Sequence, residues 1–136
     1  MKIRYVHAGD REFWYTLDKH LPEAEFLNKI ASRSAYVICV SDRPVGLLRF
    51  SLFWDEIPFM NMLYIAEAFR KRGFGRMLVE FWENDMQKRG FSRVLTSTQS
   101  NEDAQHFYRK LGYRDCGGFI VSKGDPLELM LVKELA

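Results

Sequence analysis

Cysteine is scarce: two residues, Cys39 and Cys116, in a chain of 136 cannot build the framework of a small secreted domain. Cys39 lies in the apolar run Tyr36-Val37-Ile38-Cys39-Val40 and reads as a small buried hydrophobe. The two thiols leave a pairing open, but a reduced, cytoplasmic protein is the expectation. Long apolar runs are absent too. The longest uncharged stretch, Ile57 to Ala66, ends at Glu67, well short of the roughly 20 residues of a spanning helix, so no membrane partner is expected. Met1-Lys2-Ile3-Arg4-Tyr5 lacks the apolar segment of a secretory signal. There is little excess charge: 20 Lys and Arg against 18 Asp and Glu leave +2, which argues against a general nucleic-acid coat. His7, His20 and His106 show no ligand spacing, so no metal is expected.

What is present is a hydrophobic content of 47% and an aromatic content of 15%, enough to build one core. Ile3 to His7 alternates as a first strand. Asp10 offers an N-cap to a helix through about Lys19, and a second helix runs from Pro22 to about Ser32. Tyr36 to Ser41 and Val45 to Trp54 read as a hairpin across Asp42-Arg43-Pro44. A turn from Asp55 to Pro58 then leads to a strand from Phe59 to Ile65. Phe74, Met77, Leu78, Phe81 and Trp82 recur at helical spacing, and this helix stops near Gly90. Arg93 to Thr98 is a strand. Ser100 and Asp103 resemble a capping box for a helix bearing Ala104, Phe107, Tyr108 and Leu111, and Gly112 suits its left-handed end. Tyr113 to Val121 and Leu127 to Leu135 are the last strands. Hairpins followed by strands that alternate with helices imply a mixed sheet flanked by helices.

The segment richest in chemistry is Arg70-Lys71-Arg72-Gly73-Phe74-Gly75-Arg76, between a strand and a helix. It holds four of the 20 basic residues and no acid. Free amides at a helix start favour an anion, and glycines let a ligand approach the backbone. It is neither an ATP-type P-loop, which ends in Gly-Lys-Ser/Thr, nor a dinucleotide fingerprint.

Arg-x-x-Gly-x-Gly (Arg70, Gly73, Gly75) is followed by a long helix, a strand and Asn-x-x-Ala-x-x-Phe-Tyr-x-x-Leu-Gly-Tyr. The second motif is Asn101, Ala104, Phe107, Tyr108, Leu111, Gly112 and Tyr113. In this order the whole chain resembles the GNAT acyltransferase superfamily. The resemblance implies an α/β (α+β) fold in a single domain: a mixed, mostly antiparallel seven-stranded sheet flanked by about four helices, splayed between strands 4 and 5, with acetyl-CoA in the cleft. It implies that backbone groups of Leu63, Tyr64 and Ile65 hold the pantetheine arm and that the amides from Lys71 to Arg76 hold the pyrophosphate. Asn101 and Tyr108 would approach from the following helix, where their spacing puts them on one face. Many members carry Gly where this chain has Lys71 and Pro where it has Glu67.

The implied reaction is direct acetyl transfer from the thioester to a primary amine of a small molecule or peptide, by a monomer or homodimer. A backbone N–H around Met62 to Tyr64 is the candidate oxyanion donor, and Tyr108 the candidate proton donor to the departing thiolate. No carboxylate or histidine lies on the strand from Phe59 to Ile65. Glu56 and Asp55, in the turn before it, are therefore the first candidates for the base, with water relays or Glu67 as alternatives. Phe50, Phe53, Trp54 and Phe59 surround these acids and read either as an acceptor surface for a cationic amine or as core. A non-catalytic acyl-CoA sensor is the alternative function. An RNA-binding role for Arg70 to Arg76 is disfavoured because the basic residues are confined to one short turn.

Overall fold

The computed structural model describes residues 1–136. The elements are β1 (Lys2–Tyr5), α1 (Arg11–Leu17), α2 (Glu23–Ser32), β2 (Ala35–Val40), β3 (Arg43–Phe53), β4 (Ile57–Ile65), α3 (Phe74–Lys88), β5 (Arg93–Gln99), α4 (Ala104–Lys110), β6 (Arg114–Phe119) and β7 (Glu128–Glu134). Short 3-10 turns span Ala8–Asp10 and Glu67–Phe69. The strands form one mixed seven-stranded sheet in the order β1-β2-β3-β4-β5-β7-β6. Its pairings are antiparallel at β1–β2, β2–β3, β5–β7 and β6–β7. The pairing of β4 with β5 is parallel, through Phe59 with Leu95 and Met60 with Thr96.

The chain divides into two compact units, Met1–Ser51 with Asn61–Asn84, and Leu52–Met60 with Asp85–Ala136. In the first, β2 is buried on both faces, which explains its unbroken apolar sequence. Ala35, Val37 and Cys39 join Trp14 of α1 and Phe26 of α2 in one cluster. The alternate residues serve the other face, where Tyr36 meets Phe81 edge-on at 5.7 Å and Phe50 meets Trp82 at 6.0 Å, both from α3. The indole Nε1 of Trp82 is buried here without a hydrogen-bond partner, but the buried Asp18 and Lys29 are paired. Asp18 accepts from the indole of Trp14 and from Arg49 at 2.7 Å, and the ammonium of Lys29 donates to the Phe50 carbonyl.

In the second unit, Ile57, Leu95 and Val132 cluster with Phe53, Phe59 and Met130. Successive side chains of a strand point to opposite faces, so Thr96 and its cross-strand partner Leu131 turn to the other face. α4 closes at Gly112, φ +98°, with Tyr113 N–H reaching the Tyr108 carbonyl at 3.1 Å.

Four local expectations need correction. β1 ends at Tyr5 rather than His7. Asp10 does not cap α1; its carboxylate faces backwards, accepting two bonds from Arg4 at 2.8 and 2.9 Å and one from the His7 N–H. Burial pushes that carboxyl upward, but the Arg4 guanidinium and the His7 amide outweigh it and hold Asp10 below its ordinary value. The first hairpin turns at Ser41-Asp42, φ +51° and +64°, closed by the pair Val40 and Arg43, so Arg43 and Pro44 already belong to β3. Both central residues are left-handed because this turn must match the strand twist, and Pro44 is tolerated beside the bulge at Cys39. Finally, Ser100 and Asp103 form no capping box. Glu102 instead accepts from Gln99 N–H, and the Gln105 amide donates to the carbonyls of Ser100 and Glu102.

Candidate active site

In the first unit β4 ends at Ile65, and Ala66 N–H reaches back to the Val45 carbonyl at 2.8 Å. Gly46 of β3 lies close under this end of β4: a Cβ there would stand 2.5 Å from the Ile65 side chain. The 3-10 turn follows, and then Lys71 takes φ +62° and Gly73 φ +83° before α3 begins at Phe74. The first amide to find its acceptor in the helix is Met77, bonded to the Gly73 carbonyl at 3.0 Å, so those of Phe74, Gly75 and Arg76 head the helix without one. The space beside Gly73 is open, with nothing within 4 Å of a Cβ placed there.

The four cations are arranged differently from one another. Arg70 donates from Nε to the Ile65 carbonyl at 2.9 Å, with its guanidinium 5.0 Å over the Tyr64 ring. Arg72 covers Phe69 at 5.3 Å. Arg76 pairs with Glu80 one turn along α3 at 2.6 Å, and Lys71 is exposed. Leu63, Tyr64 and Ile65 therefore lie beside the basic turn, but one of the carbonyls expected to face the pantetheine already has a donor.

In the second unit Tyr108 is 7% exposed and stacks edge-on against Phe107 at 5.2 Å and Tyr113 at 5.7 Å. Burial pushes its phenol up to about 12. Thr96, 1% exposed, donates its own proton to the Met60 carbonyl at 3.1 Å. Sequence reasoning missed Thr96. The signal was a polar residue on the buried face of β5, in step with Val94 and Thr98.

The remaining candidates lie outside α4, in turns. Asn101 belongs to the turn before α4 and not to the helix, because α4 starts only at Ala104; the shared helical face is not formed. Asp55 and Glu56 are exposed, in a turn whose central residues Trp54 and Asp55 are again left-handed, φ +56° and +60°. Glu56 precedes Met60 by four residues of β4, about 13 Å of extended strand. Phe50 belongs to the first unit's core, 3% exposed. Phe53 instead stacks on Trp54 at 4.8 Å and Phe59 at 6.1 Å. A cavity of about 340 Å³ is lined by Phe53, Trp54, Ile57, Leu95 and Met130, with Arg93 among its polar residues.

A basic, glycine-containing helix start after β4 suits an anionic ligand. The family model of the acetyltransferase (GNAT) family matches residues 3–113. This chain belongs to the GNAT family. No curated protein matched the sequence. Among solved structures, Ard1 from Thermoplasma volcanium superposes with a TM-score of 0.87 at 17% identity, covering 99% of this chain and 97% of that one. Ribosomal-protein-alanine N-acetyltransferase from Brucella melitensis gives 0.83 at 17% identity, over 99% and 100%. Naa50 of Arabidopsis thaliana, in complex with the bisubstrate analogue CoA-Ac-MVNAL, gives 0.77 at 17% identity, over 97% of each chain. At such identities these likenesses establish the GNAT fold. No helix of this GNAT chain is long and apolar enough to cross a membrane.

Proposed function

We propose that the chain is an acetyl-CoA-dependent N-acetyltransferase, one acyltransferase domain that moves the acetyl group to a primary amine by direct attack in a ternary complex. The observation that carries this reading is the start of α3: outward amides from Phe74 to Arg76, open space beside Gly73 and four cationic residues in seven positions. A pyrophosphate fits such a cradle through charge and through the helix dipole. Naa50 was crystallised with an analogue joining CoA to a peptide, and the Brucella relative is named for protein alanine. A peptide amine therefore stands beside a small-molecule amine as the acceptor. The two cysteines, both free, suit the reducing cytoplasm in which we place the reaction.

The chemistry makes three demands. An alkyl amine of pKa about 10.4 is neutral to about one part in a thousand at pH 7, a cost of about 4–5 kcal/mol, so a proton acceptor is needed. Asp55 and Glu56 fill that role in this reading, through water because of their distance along β4. A backbone N–H around Met62 to Tyr64 meets the oxyanion, and such a donor contributes about 3–4 kcal/mol. As the C–N bond forms and the C–S bond breaks, Tyr108 donates from its hydroxyl to the sulfur. Asn101 and the backbone of Leu63 to Ile65 contribute to holding the acetyl-CoA. A second reading, a non-catalytic acyl-CoA sensor, is favoured by one observation, the deep burial of Tyr108.

The test follows thiol release from acetyl-CoA across a panel of peptide and alkyl amines, with thermal shift against acetyl-CoA in parallel. Acetyl-CoA at about 100 times its Kd adds about 2.7 kcal/mol of stability. Release with one amine class supports the transferase. A shift with no release on any amine supports the sensor, and neither signal overturns both.

A further inference from the structure

Arg93 and Leu95 stand two apart on β5 and so share one face of the sheet with their cross-strand partners, Glu134 and Val132. The hollow of about 340 Å³ in this second unit has Leu95, Phe53, Trp54, Ile57 and Met130 for its apolar wall and Arg93 beside them. That volume is at the lower end of what small-molecule sites use. A smaller hollow of about 210 Å³ adjoins it, sharing Ile57 and Arg93 and adding Glu56 and Ser92. Arg93 therefore borders both spaces. The main chain around the smaller hollow is already engaged: Gly90 N–H meets the Gln87 carbonyl, Phe91 N–H the Met86 carbonyl, and the Ser92 carbonyl accepts from Leu135 N–H. Glu56 and Arg93 line this one space without closing on each other as an ion pair. Glu134, opposite Arg93 in the ladder, is bonded to Arg114 at 2.8 Å instead. Trp54, in the larger hollow, is 74% exposed and left-handed, φ +56°, with its ring on Phe53 at 4.8 Å. A bulky side chain in that conformation, presented to water, is uncommon unless something uses it.

We propose that the two joined hollows bind a free α-amino acid with an apolar side chain. From its Cα such a ligand sends three groups in three directions. The side chain enters the larger hollow against Leu95, Met130 and the Trp54 ring. The carboxylate meets Arg93 where the hollows join, because a guanidinium is a planar fork of donors matched to two carboxylate oxygens. The ammonium turns into the smaller hollow towards Glu56. Each charge of the ligand thus meets a protein charge that has no ion-pair partner in the chain, and none is covered unpaired. An aryl or fatty acid answers Arg93 and leaves Glu56 facing no cation. An alkylamine does the converse. A peptide N-terminus brings the ammonium but has an amide where Arg93 calls for a carboxylate. The zwitterion answers both. This binding site goes beyond the transferase reading and does not rest on it, since every residue named belongs to the second unit and no bond is made or broken.

The experiment titrates the chain with L-phenylalanine, with 2-phenylethylamine, which lacks the carboxylate, with 3-phenylpropanoate, which lacks the ammonium, and with glycine, which lacks the body. Two residues of the chain report occupancy. Cys116 lines the larger hollow and is exposed, whereas Cys39 is buried, so alkylation by iodoacetamide reads Cys116. Trp14 and Trp82 are 0% exposed, so a solvent-sensitive change in indole emission reads Trp54. L-phenylalanine is expected to protect Cys116 and to shift the Trp54 emission over the same concentration range. The two analogues are expected to bind about fivefold more weakly, and glycine to protect nothing. Arg93→Gln weakens L-phenylalanine about fivefold and spares 2-phenylethylamine; Glu56→Gln weakens it about as much and spares 3-phenylpropanoate. Both side chains are exposed, so both variants keep the fold, and the four ligands on the native chain test the inference without them. Trp54→Phe loses the emission signal and keeps the protection. No protection by L-phenylalanine up to its solubility overturns the inference. Equal affinity for the three aromatic ligands does so too, because it leaves an apolar hollow that recognises no head group. Tighter binding of 3-phenylpropanoate or of 2-phenylethylamine than of L-phenylalanine overturns the zwitterion, and an emission change that survives Trp54→Phe places the ligand elsewhere.

Discussion

Arg70 is turned back onto the strand that precedes it, donating from Nε to the carbonyl of Ile65 at 2.9 Å. The same guanidinium lies over Tyr64, so one side chain of the basic turn is tied to the end of β4. Lysine keeps the charge but cannot reproduce a planar fork that bonds a carbonyl and covers a ring. Arg70→Ala is expected to weaken acetyl-CoA binding by about tenfold, and Arg70→Lys to recover only part of it, as read by calorimetry. An Arg70→Ala variant that binds acetyl-CoA as tightly as the native chain removes this residue from the site.

Lys71 occupies a left-handed conformation, φ +62°, that costs a residue with a Cβ about 1 kcal/mol. Glycine removes that cost and leaves the backbone N–H in place. Lys71→Gly is therefore expected to raise the unfolding free energy by up to about 1 kcal/mol while reducing acetyl-CoA affinity only by the loss of one exposed charge. Gly73→Ala has room for its methyl but not the backbone freedom, φ +83°, and is expected to lose stability and affinity together. Denaturant titrations with and without acetyl-CoA check both signs.

Tyr108 links the fold to alkaline pH. Its phenol is raised from 10.0 to about 12 by burial, so the folded chain holds this proton more tightly than the unfolded one. Stability from this group is fully present below pH 10 and is lost as pH rises towards 12, by about 2 kcal/mol at the upper end. The unfolding free energy of Tyr108→Phe is expected to decline less steeply over that window. Parallel slopes for the two proteins contradict the burial argument.

Asp55 and Glu56 stand in solvent, in the turn between β3 and β4. If they collect the amine proton, Asp55→Asn combined with Glu56→Gln moves the acidic limb of the pH–rate profile to higher pH and lowers kcat. An unchanged profile assigns the task to water relays or to Glu67.

The larger elements were legible because their causes are local. The stripe from Phe74 to Trp82 has one period, the buried strand Ala35–Val40 has one composition, and the glycines after α3 and α4 mark their ends. The cradle at α3 was legible for the same reason: amides, glycines and cations are adjacent in sequence. What escaped was decided by competition between partners that composition and spacing do not rank. Asp10 looked like a cap for the helix that follows it, but Arg4 offered a bidentate bond and won. Asn101 looked helical by spacing, yet the side chains of Glu102 and Gln105 tie up the preceding carbonyls and amides in a turn. Thr96 carried no motif, and its hydroxyl is satisfied by the Met60 carbonyl, which only the fold brings to it.

The Ser41-Asp42 hairpin turn has a consequence for the engineering of this chain. Both of its central residues hold left-handed dihedrals without being glycine, where an Asn-Gly pair would adopt them at little cost. No candidate binding or catalytic residue lies in this turn. It is accordingly a reserve: Ser41→Asn with Asp42→Gly offers added thermal tolerance at a point where activity has nothing to lose, and that margin could be drawn on when riskier changes are made at Tyr108 or Lys71.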